Sequence, residues 1–184
     1  FATFMEMATT DAFRPDWERW VGFGVSRSEA LDTDALHSTR PIEFEVTSPD
    51  DAEGMFDVLT YEKGAAVVRM LEQYLGEERF RDGIRRYLDS HQYANTETTD
   101  LWDAIEAATG EPTRRIMDTW IFQGGYPLVV AARDGDRLAL TQERFTYLPG
   151  ADTARWAVPV LVAWGTDGGA GHSEPFASSA PAGP

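Results

Sequence analysis

Cysteine is absent from the 184 residues, so neither a disulfide framework nor a thiolate metal site can form, and a reducing compartment suits the chain. No apolar run approaches the ~18 residues of a membrane-spanning helix, so no membrane partner is expected. Positive charge is scarce: 16 Lys and Arg face 31 Asp and Glu, leaving a formal net charge of -15. Such a surface is repelled by phosphates, which argues against nucleic acid as a partner. Of the sixteen basic residues only Lys63 is a lysine. The three histidines, at positions 37, 91 and 172, stand far apart, and none has a second within one helical turn. A hydrolytic zinc site needs three protein ligands and an open fourth position, so the expected number of metal ligands in this chain is none. No phosphate loop, no Ser, His and Asp set and no internal repeat stands out.

What is present is ample material for a core. Hydrophobic residues make up 42% and aromatics 12% of the chain, enough for one domain or parts of two. Phe1, Phe4, Met5 and Ala8 recur at helical spacing up to Thr10, with Asp11 ending the run. Pro15 suits the first turn of a second helix over 16–36, placing Trp17, Trp20, Val21 and Phe23 inward. Arg40-Pro41 forces extended backbone over 38–46. Ser48-Pro49-Asp50-Asp51 opens a helix, its hydroxyl capping and its acids on the positive end of the dipole. Helices follow over 77–88, 99–108 and 112–122, with Gly76 and Gly110 as stops. Then the period changes: Leu128 to Val130, a turn at Asp134-Gly135, Leu138 and Leu140, and a further apolar run over 158–164 predict strands. Residues 165–184 are rich in Gly, Ala, Ser and Pro and predict a loop or tail.

The centre of the chain is 57–76. Its apolar stripe joins Gly64, Ala65, Val68, Leu71 and Leu75, with Glu62, Arg69 and Gln73 on a narrow polar edge, which predicts one largely buried helix. Tyr61 falls on the apolar stripe. By spacing alone it reads as a packed core tyrosine whose hydroxyl needs a partner.

Four blocks in order give this pattern a further meaning. Phe1-Ala2-Thr3-Phe4-Met5-Glu6, then Tyr61-Glu62-Lys63-Gly64-Ala65 with Met70-Leu71, then Asp100-Leu101-Trp102, then Trp120 to Pro127 resemble the zinc aminopeptidase family typified by aminopeptidase N, the gluzincins. The resemblance covers residues 1 to about 130. It implies an α+β fold: a mainly helical C-terminal lobe of a thermolysin-like catalytic domain over 1–126, then the first strands of a β-sandwich over 127–164. The zinc-binding His-Glu-x-x-His and the Glu of Asn-Glu-Gly are not in this sequence; that Glu would lie two residues before Phe1. The expectation is a fragment whose zinc cofactor is bound upstream, with the remainder of its own catalytic domain as partner, peptides as substrates and the cytoplasm as location.

The resemblance also assigns roles. The phenol of Tyr61 would donate a hydrogen bond to the oxyanion formed when water attacks a peptide carbonyl, a role a phenol can fill without being consumed. Glu6 would stand two helical turns from the absent Glu ligand, on the same face, and would accept a hydrogen bond from a ligating imidazole; the alternative is a solvated surface acid. Ser38-Thr39-Arg40-Pro41 departs from the His-Pro of relatives and leaves the role of Arg40 open. Asp50, Asp51 and Glu53 read as first-turn acids. The rival to a peptidase segment is a non-catalytic interaction module, or pseudoenzyme, on the same scaffold. An epoxide hydrolase of the same family shares the tyrosine motif.

Overall fold

A computed structural model describes residues 1–135, 137–148, 150, 152–163 and 173–177. The chain is mainly helical with short antiparallel strands, an α+β arrangement as expected: α1 (Ala2–Phe13), α2 (Arg19–Asp34), α3 (Pro49–Gly54), α4 (Gly64–Leu75), α5 (Glu77–Ser90), α6 (Thr98–Thr109), α7 (Thr113–Ile121), β1 (Pro127–Asp134), β2 (Arg137–Arg144), β3 (Pro159–Ala163) and β4 (Ser173–Ala177). By their internal contacts the described residues form two compact units, one within 1–68 and 119–156, the other within 69–118 and 157–184. No helix among the described residues is long and apolar enough to cross a membrane.

In the first unit α1 packs on α2, with the rings of Phe4 and Trp20 5.7 Å apart and Trp20 edge-on to Phe23 at 5.8 Å. Two sequence expectations fail here for one reason. The helix expected over 16–36 is a short 3₁₀ turn, Pro15–Trp17, then Glu18 at φ 46°, then α2 proper. Asp11 does not end α1; its carboxylate accepts the N–H of Arg19 across the break. The left-handed residue resets the helical phase, so Phe23, Ala30 and Asp34 turn inward while Trp17 (57% exposed) and Val21 (71%) face out. Residues 38–46, expected to be extended, form no strand and bend at 42–43; Ile42 is buried and the Glu43 N–H reaches Ile121 O at 3.1 Å. Ser48 and Asp51 cap α3 reciprocally. That capping box uses the Asp51 carboxylate, whose bonds with Ser48 and Thr47 hold it below the ordinary aspartate range.

β1 and β2 form an antiparallel hairpin pairing Pro127 with Arg144 and Asp134 with Arg137, so the reversal falls one residue later than Asp134-Gly135, with Gly135 at φ 60°. Leu128, Val129 and Val130 are exposed. Trp156 is buried, its ring 6.3 Å from that of Trp120.

In the second unit α5 lies against α6. The crossing is close because position 83 has no Cβ: one added to Gly83 would come 2.8 Å from Ile105 Cγ1 and 3.0 Å from Ile105 Cα. Leu71, Leu75, Phe80, Leu101, Trp102, Ile105, Ile116 and Met117 form its core, each full burial worth roughly 1.5–3 kcal/mol. β3 pairs antiparallel with β4. The expectation of a loop or tail over 165–184 is thereby corrected at Ser173–Ala177, where backbone pairing makes a strand that composition alone does not announce; the rest of that stretch lies outside the described residues.

Candidate functional site

The stretch 57–76 is not one regular helix. Leu59–Lys63 is a π-helical turn, and α4 begins at Gly64. Such turns insert an extra residue and change which side chains share a face. Here the effect is a division: Leu59, Lys63, Gly64 and Ala65 are buried, while Tyr61 is 42% exposed. The phenol hydroxyl makes no hydrogen bond among the described residues, and its ring lies 6.4 Å from that of Phe56. The reading of Tyr61 as a core side chain is therefore corrected.

Asp57 and Arg40 fasten the start of this turn. One carboxylate oxygen of Asp57 accepts the N–H groups of Leu59 and Thr60 at 2.9 and 3.0 Å. The same oxygen receives the Arg40 guanidinium at 2.6 Å, which also reaches Gly54 O, Thr60 Oγ1 and Pro41 O at 3.0, 3.0 and 2.7 Å. Arg40 thus joins residues 38–46 to the residue next to Tyr61 and braces the start of the turn. Its planar fork is what allows so many acceptors at once.

On the buried side Lys63 Nζ lies 2.8 Å from Asp34 Oδ2 and donates to Gly125 O at 3.1 Å. Asp34 Oδ1 accepts the Thr39 hydroxyl at 2.6 Å and the Gly125 N–H at 2.8 Å. Burial pushes the Lys63 ammonium below its usual range; Asp34 opposes that shift, and the Arg144 and Arg40 charges add to it. Gly125 sits at φ 89°, and a Cβ there would meet Arg144 Nε at 2.6 Å. The Gly124-Gly125 block is therefore structural: it lets backbone, carboxylate and two cations share a small volume. Sequence reasoning missed this cluster. The available signal was the single lysine in an arginine-rich chain, placed two residues after Tyr61.

Glu6 is exposed on α1 and makes no hydrogen bond or ion pair among the described residues. Two contacts link its helix to the tyrosine turn, α1 on α2 and α2 on Leu59–Lys63. Among the described residues no group of three His, Cys, Asp or Glu side chains is placed to hold a metal ion, so the donor set for a zinc centre is not met by these residues.

The comparisons with known proteins agree on one family. Residues 1–120 match the peptidase family M1 domain. The tricorn protease-interacting factor F2 of Thermoplasma volcanium is 44% identical over 164 residues, which are 88% of this chain and 21% of that protein. The aminopeptidase M1 of Arabidopsis thaliana is 39% identical over 166 residues, 90% of this chain and 19% of that protein. A leucyl aminopeptidase of Saccharolobus solfataricus is 38% identical over 163 residues, 88% and 21% of the two chains. The chain thus spans about a fifth of the length of these relatives. With the family domain matched over most of its length, and the tyrosine turn and glycine pair built as described, the chain belongs to peptidase family M1.

Proposed function

We propose that this chain is the tyrosine-bearing segment of a zinc aminopeptidase, which removes N-terminal residues from peptides, and that Tyr61 stabilises the oxyanion. Residues 1–126 then form the helical lobe of a thermolysin-like catalytic domain and 127–164 the first strands of a β-sandwich. The observation that carries the reading is the division at the π turn. Its neighbours are locked into the core on one side, and the Tyr61 phenol stands on the other, exposed and with its donor unspent. A fixed, neutral O–H donor is the group needed beside a carbonyl oxygen that gains negative charge during attack.

Zinc would be held by residues outside this chain and would supply the Lewis acid. Glu6, with an uncommitted carboxylate, would accept a hydrogen bond from a ligating imidazole and fix its tautomer. The cysteine-free sequence suits a cytoplasmic enzyme, and the relatives named as aminopeptidases support peptides as substrates.

The test is Tyr61→Phe in the full-length protein. The ring is kept, so stability changes by no more than about 1 kcal/mol. Loss of an oxyanion donor lowers kcat roughly 10² to 10³ fold with KM little changed, and zinc content stays at the parental level. A variant that keeps more than about a third of parental kcat removes Tyr61 from the mechanism. A full-length protein with no peptidase activity at all favours the interaction module instead.

A further inference from the structure

We infer that Lys63 and Asp34 are positioning residues for Tyr61: their buried pair clamps the π turn between the end of α2 and the Gly124-Gly125 backbone, and so fixes where the phenol points. The inference rests on the catalytic reading of Tyr61 and adds to it the device that aims the hydroxyl.

Three observations carry it. Lys63 sits in the same five-residue turn as Tyr61 but is buried, 2% exposed, and its partner Asp34 at the end of α2 is fully buried. The pair's contacts join three stretches of the sequence: Asp34 closes α2 with Thr39 five residues on, Lys63 ends the π turn, and Gly125 precedes β1. The bonds from Thr39 and the Gly125 N–H to Asp34 and from Lys63 to Gly125 O are directional, and the ion pair joins them, so rotation or sliding of the turn breaks several contacts at once. And the pair is a poor choice if stability were its only use. Two buried charges pay a desolvation penalty that a well-packed apolar pair of similar volume avoids, and such replacements are often neutral or stabilising. What an apolar pair does not supply is a fixed register. A misplacement of ~1 Å at a reacting group costs on the order of 10²-fold in rate, which is the scale on which the clamp acts.

Arg40 and Arg144 surround the pair with positive charge, and Arg40 braces the start of the turn through Asp57. The turn is thus held at both ends: by Arg40 and Asp57 at its entry, by Lys63 and Asp34 at its exit.

The experiment is a set of full-length variants assayed for kcat, KM and melting temperature at a temperature where all are folded. Thr39→Val removes one hydrogen bond from Asp34 while leaving both charges in place. Lys63→Met with Asp34→Asn removes both charges together. Each is made in the parental and in the Tyr61→Phe background. The expected result is a fall in kcat of about 3-fold or more for Thr39→Val and 10-fold or more for the charge-free pair, with KM within about 2-fold, on the scale that misplacement sets. In the Tyr61→Phe background the same changes alter kcat by less than about 2-fold, because a clamp that acts through the phenol has nothing left to aim. Lys63→Arg in the parental background also lowers kcat, since a planar fork does not fit the site of a compact ammonium. The inference is overturned if Thr39→Val and the charge-free pair keep parental kcat, or if their losses persist undiminished in the Tyr61→Phe background. If Tyr61→Phe alone leaves kcat unchanged, the catalytic reading itself fails, which is a different outcome in the same data.

Discussion

Asp34 Oδ2 and Lys63 Nζ meet at 2.8 Å in the interior of the chain, with essentially no solvent on either side chain. The contact joins the last residue of α2 to the last residue of the π turn, and its meaning for stability differs from its meaning for geometry. Removing one partner strands the other as a buried charge, which costs about 3–5 kcal/mol. Removing both costs much less. Lys63→Met and Asp34→Asn made singly should therefore each lower the melting temperature of the full-length protein by more than the two made together. Equal or additive losses would show that the ammonium and the carboxylate are stabilised by other neighbours.

Gly125 tests the crowding beside that pair. Alanine there meets Arg144 Nε at 2.6 Å as well as an unfavourable φ of 89°. At Gly110, φ is 73° but nothing lies within 4 Å of the added Cβ. Gly110→Ala should cost only the backbone term, roughly 1–2 kcal/mol, and Gly125→Ala should exceed it by the ~1–3 kcal/mol typical of overpacking. Thermal unfolding of the two variants side by side measures the difference, and equal melting temperatures would mean that Arg144 yields freely.

The phenol of Tyr126 is pushed up to about 12, first by burial and then by the charges of Tyr147, Asp34 and Asp32. In the unfolded chain it ionises near 10. The folded state therefore holds the proton between those values while the unfolded state releases it. The contribution is fully present below pH ~10 and is lost as pH rises toward about 12. Lys63 acts in the opposite sense: its lowered folded value makes stability rise as pH climbs toward 10.5. A raw stability curve mixes the two, so the measurement is the difference between parent and Tyr126→Phe across this window. The parent should lose its advantage over the variant above pH ~10, and a constant difference through pH 12 would show that Tyr126 titrates normally.

Metal analysis gives a fourth check. Because no described cluster of His, Cys, Asp or Glu can converge on an ion, the 184-residue chain should purify without stoichiometric zinc, whereas the full-length protein should carry it. One tightly bound zinc per isolated chain would place the ligands here and overturn the proposal that they lie elsewhere.

The proposed bond from Glu6 to a ligating imidazole makes a prediction about affinity rather than about packing. Glu6→Gln in the full-length protein should release zinc to a chelator with affinity weakened about 10- to 100-fold. Unchanged zinc affinity would leave Glu6 a surface acid.

The sequence by itself determined what depends on neighbours along the chain. The cap at Ser48, the stop at Gly110 and the apolar stripe from Ala65 to Leu75 follow from local hydrogen bonding and helical period and are built as those rules require, whereas the hairpin reversal falls one residue later than Asp134-Gly135. The tyrosine motif was legible for the same reason, as a short run of residue types. Only the tertiary structure decided the phase of α2, because Glu18 in a left-handed conformation shifts Trp17 and Val21 outward without altering the pattern of letters. It also decided the face on which Tyr61 stands, since an inserted π residue rotates the wheel on which spacing arguments rest. The Asp34–Lys63 pair belongs to the same class: its partners Thr39 and Gly125 lie on separate segments. A charge is stable in a core only when distant groups arrive together to satisfy it, and that convergence is a property of the fold.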